Sequence, residues 1–280
     1  FEKDMEIIGL IQMTEMENKT HSEINMPFLT VSKEAVVNVS VAPRIDPGGS
    51  VRGLVVAIED ITDVSKVKNT FKRYVSKQVV DELLDDDAKL NLGGEKRDVT
   101  ILFSDIRGFT DMSEKMNPED VVSTLNEYFS EMIDIVFKHN GTLDKIIGDE
   151  LMVVYGAPTS NEDDTLRAVA TAMEMQSQIN VLNAKRTKQR KKPILAGMGI
   201  NRGIVVSGNI GSRDMMDYTV IGDTVNLGAR LCSAAGPGEI LVSSSVWKET
   251  QKHYSYKKLE PIRVKGKKNK VGVYRIDHGG

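Results

Sequence analysis

Two acidic residues sit where apolar stretches run out. In Phe103-Ser104-Asp105-Ile106-Arg107-Gly108-Phe109-Thr110 and in Lys145-Ile146-Ile147-Gly148-Asp149-Glu150, a carboxylate lies near a glycine that lets backbone come close to a ligand. An unpaired carboxylate at a buried strand end is unfavourable, and a cation removes that penalty. Two such carboxylates brought together would hold a pair of divalent cations, a recurrent device for moving phosphoryl groups. The backbone from Ile106 to Thr110, with Gly108 and the Thr110 hydroxyl, offers a cradle for a polyphosphate. Taken singly, each feature has a plainer reading: Asp-x-x-Gly is an ordinary turn, and Gly148-Asp149 suits any two-residue hairpin, as does the second pair Gly222-Asp223.

A third cluster, Asp217 to Leu231, adds an amide and a guanidinium. Asn226 and Arg230 stand at i and i+4 of a predicted helix, hence on one face, where they could orient a sugar and neutralise charge developing on phosphorus. A polar helix face with an exposed arginine is the alternative.

The elements that must position these groups follow from periodicity. An apolar strand is predicted from Val99 to Phe103 and a helix from Pro118 to His139. A hairpin joins Thr142–Ile147 to Glu150–Tyr155 through Gly148-Asp149. A long helix spans Asp163 to Leu182, strands span Ala196–Ile200 and Val205–Gly208, a helix starts near Thr224, and terminal strands lie around Ile240 and Val273. Interleaved strands and helices with a hairpin imply an α/β or α+β sheet carrying helices on one face. The basic run Lys185, Arg186, Lys188, Arg190, Lys191 and Lys192 has no interleaved aromatics and reads as a solvated loop.

Further upstream, Val37, Val39 and Val41 alternate with polar residues. The turn Asp46-Pro47-Gly48-Gly49 then leads into Val51–Ile58, a half-buried antiparallel hairpin. The segment before it is polar, with helix around Met5 to Met13. From Ile61 the period lengthens. Val64, Val67, Phe71, Tyr74/Val75, Val79 and Leu83 form one apolar stripe of a helix, to be covered by the next domain or by a second copy of itself. Asp85-Asp86-Asp87 and Gly93-Gly94 mark a linker.

Composition limits the function classes. At 280 residues, 40% hydrophobic and 28% charged, the chain has the balance of an ordinary globule. A formal net charge of −3 gives no global reason to expect nucleic acid. Cys232 alone excludes an intrachain disulfide, fits a cytoplasmic setting and reads as core filler. No apolar run is long enough for a membrane span, so no membrane contact is expected within this segment. The chain opens on Phe1 without a signal-peptide pattern and reads as part of a longer protein, in which an anchor could lie upstream.

Together, Phe103-Ser104-Asp105-Ile106-x-Gly108-Phe109-Thr110, Lys145-x-x-Gly148-Asp149 and Thr219-x-x-Gly222-x-x-Val225-Asn226-x-x-x-Arg230 resemble the class III nucleotidyl cyclases, over about Arg97 to Ile276. The resemblance implies a ferredoxin-like α+β domain working as a head-to-tail homodimer, which forms cyclic nucleotide and pyrophosphate from a nucleoside triphosphate. Asp105 and Asp149 match the family's metal-binding aspartates, which hold two Mg²⁺ or Mn²⁺ ions, with the Ile106 carbonyl as a further ligand. Gly108, Phe109 and Thr110 fall in the phosphate-binding segment. Arg230 matches the transition-state arginine and Asn226 the ribose-orienting residue. Lys145 and Thr219 match the purine-reading pair, in the form found among adenylate cyclases related to bicarbonate-responsive enzymes. A lysine donor suits adenine N1 and opposes guanine N1, which is itself a donor, so ATP is the expected substrate. Lys265, or its neighbour Lys267, and Arg213 resemble phosphate-contacting positions.

In this family each site takes its metal aspartates from one subunit and its purine-reading, Asn and Arg residues from the other. Lys145 and Asp149 would then serve opposite sites. Residues 1–62 resemble the C-terminal part of a PAS sensor domain, with Glu59-Asp60-Ile61-Thr62 as its exit motif. Residues 63–95 resemble a signalling helix and pre-cyclase element, including Phe71 to Val80, and 96–280 the catalytic domain. The alternatives are a guanylate cyclase and a catalytically inactive dimeric nucleotide-binding signalling module.

Overall fold

The structure, a computed structural model, describes residues 4–29, 34–71, 79–80, 92–263 and 270–277. The chain divides into two compact units, residues 1–75 and 76–280.

In the first unit, α1 (Asp4–Glu17) precedes a three-stranded antiparallel sheet of β1 (His21–Leu29), β2 (Glu34–Ile45) and β3 (Val51–Asp60), in the order β1-β2-β3. Alternation in β2 buries Val37, Val39 and Val41 against Ile7, Leu10 and Ile11 of α1. The β2–β3 turn is closed by Asp46, whose carboxylate accepts from the Gly48 and Ser50 amides, both at 2.9 Å, and from Arg52 at 2.8 Å. Helix α2 (Thr62–Phe71) starts where Asp60 Oδ1 accepts from the Thr62 amide at 2.9 Å. Its Val64 and Val67, from the predicted stripe, are exposed. The rest of that stripe between 72 and 78, Leu83, and the Asp85-Asp86-Asp87 linker lie outside the described residues. Strand β1 went unforeseen because its polar alternation carries little apolar signal.

The second unit is built on an eight-stranded sheet. Its strands are β4 (Gly93–Ile106), β5 (Thr142–Ile147), β6 (Glu150–Tyr155), β7 (Ala196–Gly211), β8 (Met216–Ile221), β9 (Ile240–Ser243), β10 (Tyr256–Lys258) and β11 (Val273–Ile276). They run in the order β10-β11-β9-β7-β4-β6-β5, with β8 paired to the outer part of β7. Strand β4 is longer than predicted, because Gly93 to Arg97 pair with Val205 to Asn209. The Gly93-Gly94 pair is therefore strand rather than linker. Strand β7 likewise runs unbroken through the two predicted pieces.

Helices α4 (Pro118–Lys138) and α5 (Asp164–Lys188) cover one face of this sheet; the short α3 (Phe109–Ser113) follows β4. Tyr128, Met132, Ile135 and Val136 of α4 meet Ala168, Ala172, Met175, Ile179 and Leu182 of α5 over Leu102, Leu151, Val153, Met198 and Ile200. Each large apolar side chain fully withdrawn there contributes about 1.5–3 kcal/mol. The expectation of helices on one face holds for this pair and needs one addition. Helix α6 (Asp223–Ala234) lies against the other face, where Val225, Ala229 and Cys232 pack on Ile101, Phe103, Met152 and Val205. Helix and strand meet there backbone to backbone: a Cβ on Gly199 would stand 2.1 Å from the Cys232 nitrogen and 2.6 Å from the Gly228 oxygen. Helix α7 (Ser244–Thr250) caps the end of β9.

The basic run departs from the predicted loop. Lys185, Arg186 and Lys188 belong to the last turn of α5, where cations offset the helix dipole. Arg186 is 2% exposed, paired with Glu127 and donating to the Lys192 carbonyl at 2.8 Å. Cys232 is fully buried, as core filler should be. Among the described residues no helix is long and apolar enough to cross a membrane.

Candidate active site

Strand pairing brings the acidic residues together. Asp105, at the end of β4, lies directly opposite Glu150, the first residue of β6, and Asp149 occupies the tight turn before it. Burial and the Asp105 carboxylate push Asp149 up to about 6. The same two causes push Glu150 up to about 7. Three carboxyl groups thus crowd a half-buried corner that favours a positive charge.

The chain supplies one such charge itself. Arg107 Nη1 lies 2.5 Å from Asp105 Oδ2, with the two side chains 18% and 26% exposed, and Nη2 donates to the Cys232 carbonyl of α6. The Arg107 Nε is buried without a partner, so the guanidinium is incompletely satisfied where it sits. Sequence reasoning passed over Arg107 because it fills a variable position of the motif. Its charge beside Asp105 was the only available signal.

The donor set fits a hard divalent cation. Asp105 and Asp149 offer carboxylate oxygens and Ile106, buried at the strand end, a carbonyl, although among the described residues no group of three or more His, Cys, Asp or Glu side chains is arranged to hold a metal ion by itself. Few protein oxygens and an open remainder suit Mg²⁺ or Mn²⁺, which keep several waters or ligand oxygens of their own. Immediately after, Gly108 turns the chain in the left-handed region, φ 68°, into α3, with Phe109 buried and Thr110 exposed. First-turn N–H groups have no acceptor within a helix, and here they follow the acidic corner directly.

A second cluster gathers Lys145 and Thr219. The β5–β6 ladder slips between Leu143 and Lys145, so Asp144 is the extra residue of a β-bulge. The bulge cancels the usual alternation and lets both Asp144 and Lys145 reach β8. Lys145 Nζ lies 2.5 Å from Asp217 Oδ2 and 3.4 Å from Asp144 Oδ2. Thr219 Oγ1 donates to Asp144 Oδ2 at 2.9 Å. The Asp144 side chain is 4% exposed, and burial raises its carboxyl above the ordinary value while Lys145 and Thr219 pull it back. Asp217 and Asp144 were not singled out from sequence; neither a bulge nor a contact across 75 residues leaves a local mark.

The remaining predicted residues separate. Asn226 is exposed and Arg230 half-buried on α6, whose Cys232 carbonyl holds Arg107. Arg213 is exposed in the turn between β7 and β8. Lys265 and Lys267 lie outside the described residues. One chain thus presents an acidic corner with Arg107, and a cluster of Lys145, Thr219, Asp144 and Asp217.

Solved structures share this architecture. The guanylyl cyclase Cya2 is 42% identical with a TM-score of 0.64, covering 66% of this chain and 94% of that one. The adenylyl cyclase CyaB from P. aeruginosa is 38% identical at the same TM-score, covering 66% and 96%. Among curated relatives, an uncharacterised protein of Mycobacterium tuberculosis is 33% identical over 75% of this chain. Adenylate cyclase 1 of Rhizobium meliloti is 27% identical over 74%. The chain spans only 38% and 31% of the length of these two relatives. The family model for the adenylate and guanylate cyclase catalytic domain matches residues 94–278. The chain therefore belongs to the class III nucleotidyl cyclase catalytic-domain family.

Proposed function

We propose that the chain is an adenylate cyclase, converting ATP to 3′,5′-cyclic AMP and pyrophosphate at composite sites of a homodimer. The observation that supports the choice of ATP is the Lys145–Thr219 cluster: an ammonium held by Asp217 at 2.5 Å, a donor that would suit the adenine N1 acceptor, beside a hydroxyl already donating to Asp144. Asp105, Asp149 and the Ile106 carbonyl would hold two Mg²⁺ or Mn²⁺ ions. Bound there, the metal supplies acidity to the ribose 3′-hydroxyl and charge neutralisation to the triphosphate. In the reaction the 3′-oxygen forms a bond to the α-phosphorus, the bond to pyrophosphate breaks, and the hydroxyl proton leaves to solvent. Asn226 orients the ribose, and Arg230 offsets charge developing at the α-phosphorus. Gly108, Phe109 and Thr110 line the phosphate path, and Arg213 and Lys265 are the further candidates for phosphate contact.

Residues 1–62 act as the sensor end, with a PAS-like exit into a signalling helix and pre-cyclase linker over 63–95, and residues 96–280 as the catalytic domain. A rotation between subunits would separate the acidic corner from the arginine, which makes dimer geometry the control point. The setting is cytoplasmic. Guanylate cyclase activity is the second reading, favoured by the 42% identity to a guanylyl cyclase and opposed by the lysine donor.

The test is turnover of ATP and of GTP by the purified chain with Mn²⁺, measuring cyclic nucleotide and pyrophosphate. Cyclic AMP as the main product is expected, and Lys145→Glu with Thr219→Cys should raise GTP use. A chain that turns over neither nucleotide leaves the inactive-module reading standing.

A further inference from the structure

The hydroxyl of Thr219 carries a single proton, and the structure shows where it goes. Thr219 Oγ1 donates to Asp144 Oδ2 at 2.9 Å, inside a cluster where Thr219 is 8% exposed and the Asp144 side chain 4%. An ionised carboxylate only accepts, and Lys145, 3.4 Å from the same oxygen, keeps that negative charge in place. Thr219 therefore has lone pairs alone to offer any group arriving from the other side. Lys145 is arranged by the same rule: two of its three N–H bonds point to Asp144 and Asp217, which leaves one for a ligand.

We propose that Asp144, the bulge residue of β5, is the specificity-determining residue that makes the purine site an acceptor at the 6-position, selecting a 6-amino purine over a 6-oxo one without touching the base. This rests on the reading of Lys145 and Thr219 as the pair facing the purine. A free threonine hydroxyl rotates to donate or to accept and cannot discriminate between amine and carbonyl. With its proton committed to Asp144, it accepts from the adenine amine and presents lone pair against lone pair to a guanine or hypoxanthine carbonyl. Asp217 has a different part: it holds Lys145 and leaves the polarity of Thr219 alone.

The experiment compares kcat/KM, with Mn²⁺, for ATP, purine riboside triphosphate (no 6-substituent) and inosine triphosphate (6-oxo). The proteins are the intact chain and its Asp144→Asn, Asp144→Glu, Thr219→Val and Asp217→Asn variants. The ratio of two nucleotides on one sample cancels the folded fraction. If Asp144→Asn gives no folded protein, Asp144→Ser is read the same way. In the unaltered chain ATP should exceed the purine riboside nucleotide about tenfold, the loss of one well-placed hydrogen bond. In Asp144→Asn the side-chain amide can donate to Thr219 and free its proton. That ratio should then fall to about twofold or less, with inosine triphosphate gaining about tenfold relative to ATP, chiefly in KM. Asp144→Glu and Asp217→Asn should keep the ATP preference. If Thr219→Val abolishes the preference while Asp144→Asn leaves it intact, the role given to Asp144 is wrong and the purine-facing pair stands. If none of the variants changes the ratio, the pair itself does not face the base and both readings fall.

Discussion

Replacing Arg107 with methionine isolates the charge that the acidic corner now receives from the chain. Methionine keeps most of the apolar stem and removes the guanidinium. With charge centres about 4 Å apart, the gross attraction at an effective dielectric of about 20 is roughly 4 kcal/mol, part of it offset by desolvation. Deleting one partner costs under about 1 kcal/mol in exposed pairs and about 3–5 kcal/mol in buried ones. At 18% and 26% exposure the Arg107–Asp105 pair lies between these, so a loss of about 2 kcal/mol is expected. For a unit of this size that is a fall of about 4–8 °C in the melting temperature of the cyclase unit, measured in EDTA. On the proposed reading, a cation held by Asp105 and Asp149 would take over the same duty. Saturating Mn²⁺ should therefore bring variant and parent together, and by linkage the variant should bind Mn²⁺ about thirtyfold more tightly in a calorimetric titration. Equal destabilisation with and without Mn²⁺, together with equal Mn²⁺ affinity, would refute the idea that Arg107 stands in for the metal and leave it a structural brace.

Four further outcomes are expected. Asp105→Ala and Arg230→Ala should each be inactive alone and recover about a quarter of parental activity when mixed in equal amounts, since half the dimers then carry one intact composite site; no recovery on mixing would sink the shared-site arrangement. Because the folded protein raises the Asp149 carboxyl to about 6, Mn²⁺ must displace a proton below that pH, and calorimetry should find binding about tenfold weaker at pH 5 than at pH 7.5. The sign for folding is opposite to that of a salt-bridged acid: the native state keeps a proton that the unfolded chain has released, so this group's contribution to metal-free stability declines as pH climbs from about 4 to about 6 in a pH series of denaturant melts. Gly199→Ala should cost at least about 1–3 kcal/mol in a denaturant melt, because its Cβ would meet α6 backbone at 2.1 Å rather than a side chain that can swing away.

What could be read from the chain, and what could not, divides by range. The hairpin of β5 and β6 appears at its observed bounds because two short apolar runs and the Gly-Asp turn between them are local signals. Helix α4 is framed by Pro118 at its first turn and an apolar stripe at helical spacing. Helix α5 outruns its prediction because Arg186 looks polar in sequence, yet its burial depends on Glu127 of another helix. The acidic residues of the site were visible as motif letters, but their neighbours were not. Lys145 meets Asp217 across 72 residues and Arg107 meets Cys232 across 125, and such pairings arise only once the sheet has closed. Strand β8 escaped notice because Met216–Ile221 borrows its order from β7, to which it is paired residue by residue.

The bond from Arg107 to the Cys232 carbonyl gives α6 two allegiances. The helix bears Asn226 in its first turn and Arg230 two residues before Cys232, whose carbonyl grips the guanidinium that steadies Asp105. Through Arg107, α6 and the acidic corner are thus tied within one protomer. If Asn226 and Arg230 serve one catalytic cleft and Asp105 the other, a movement of α6 on filling one cleft would reach its twin through Arg107.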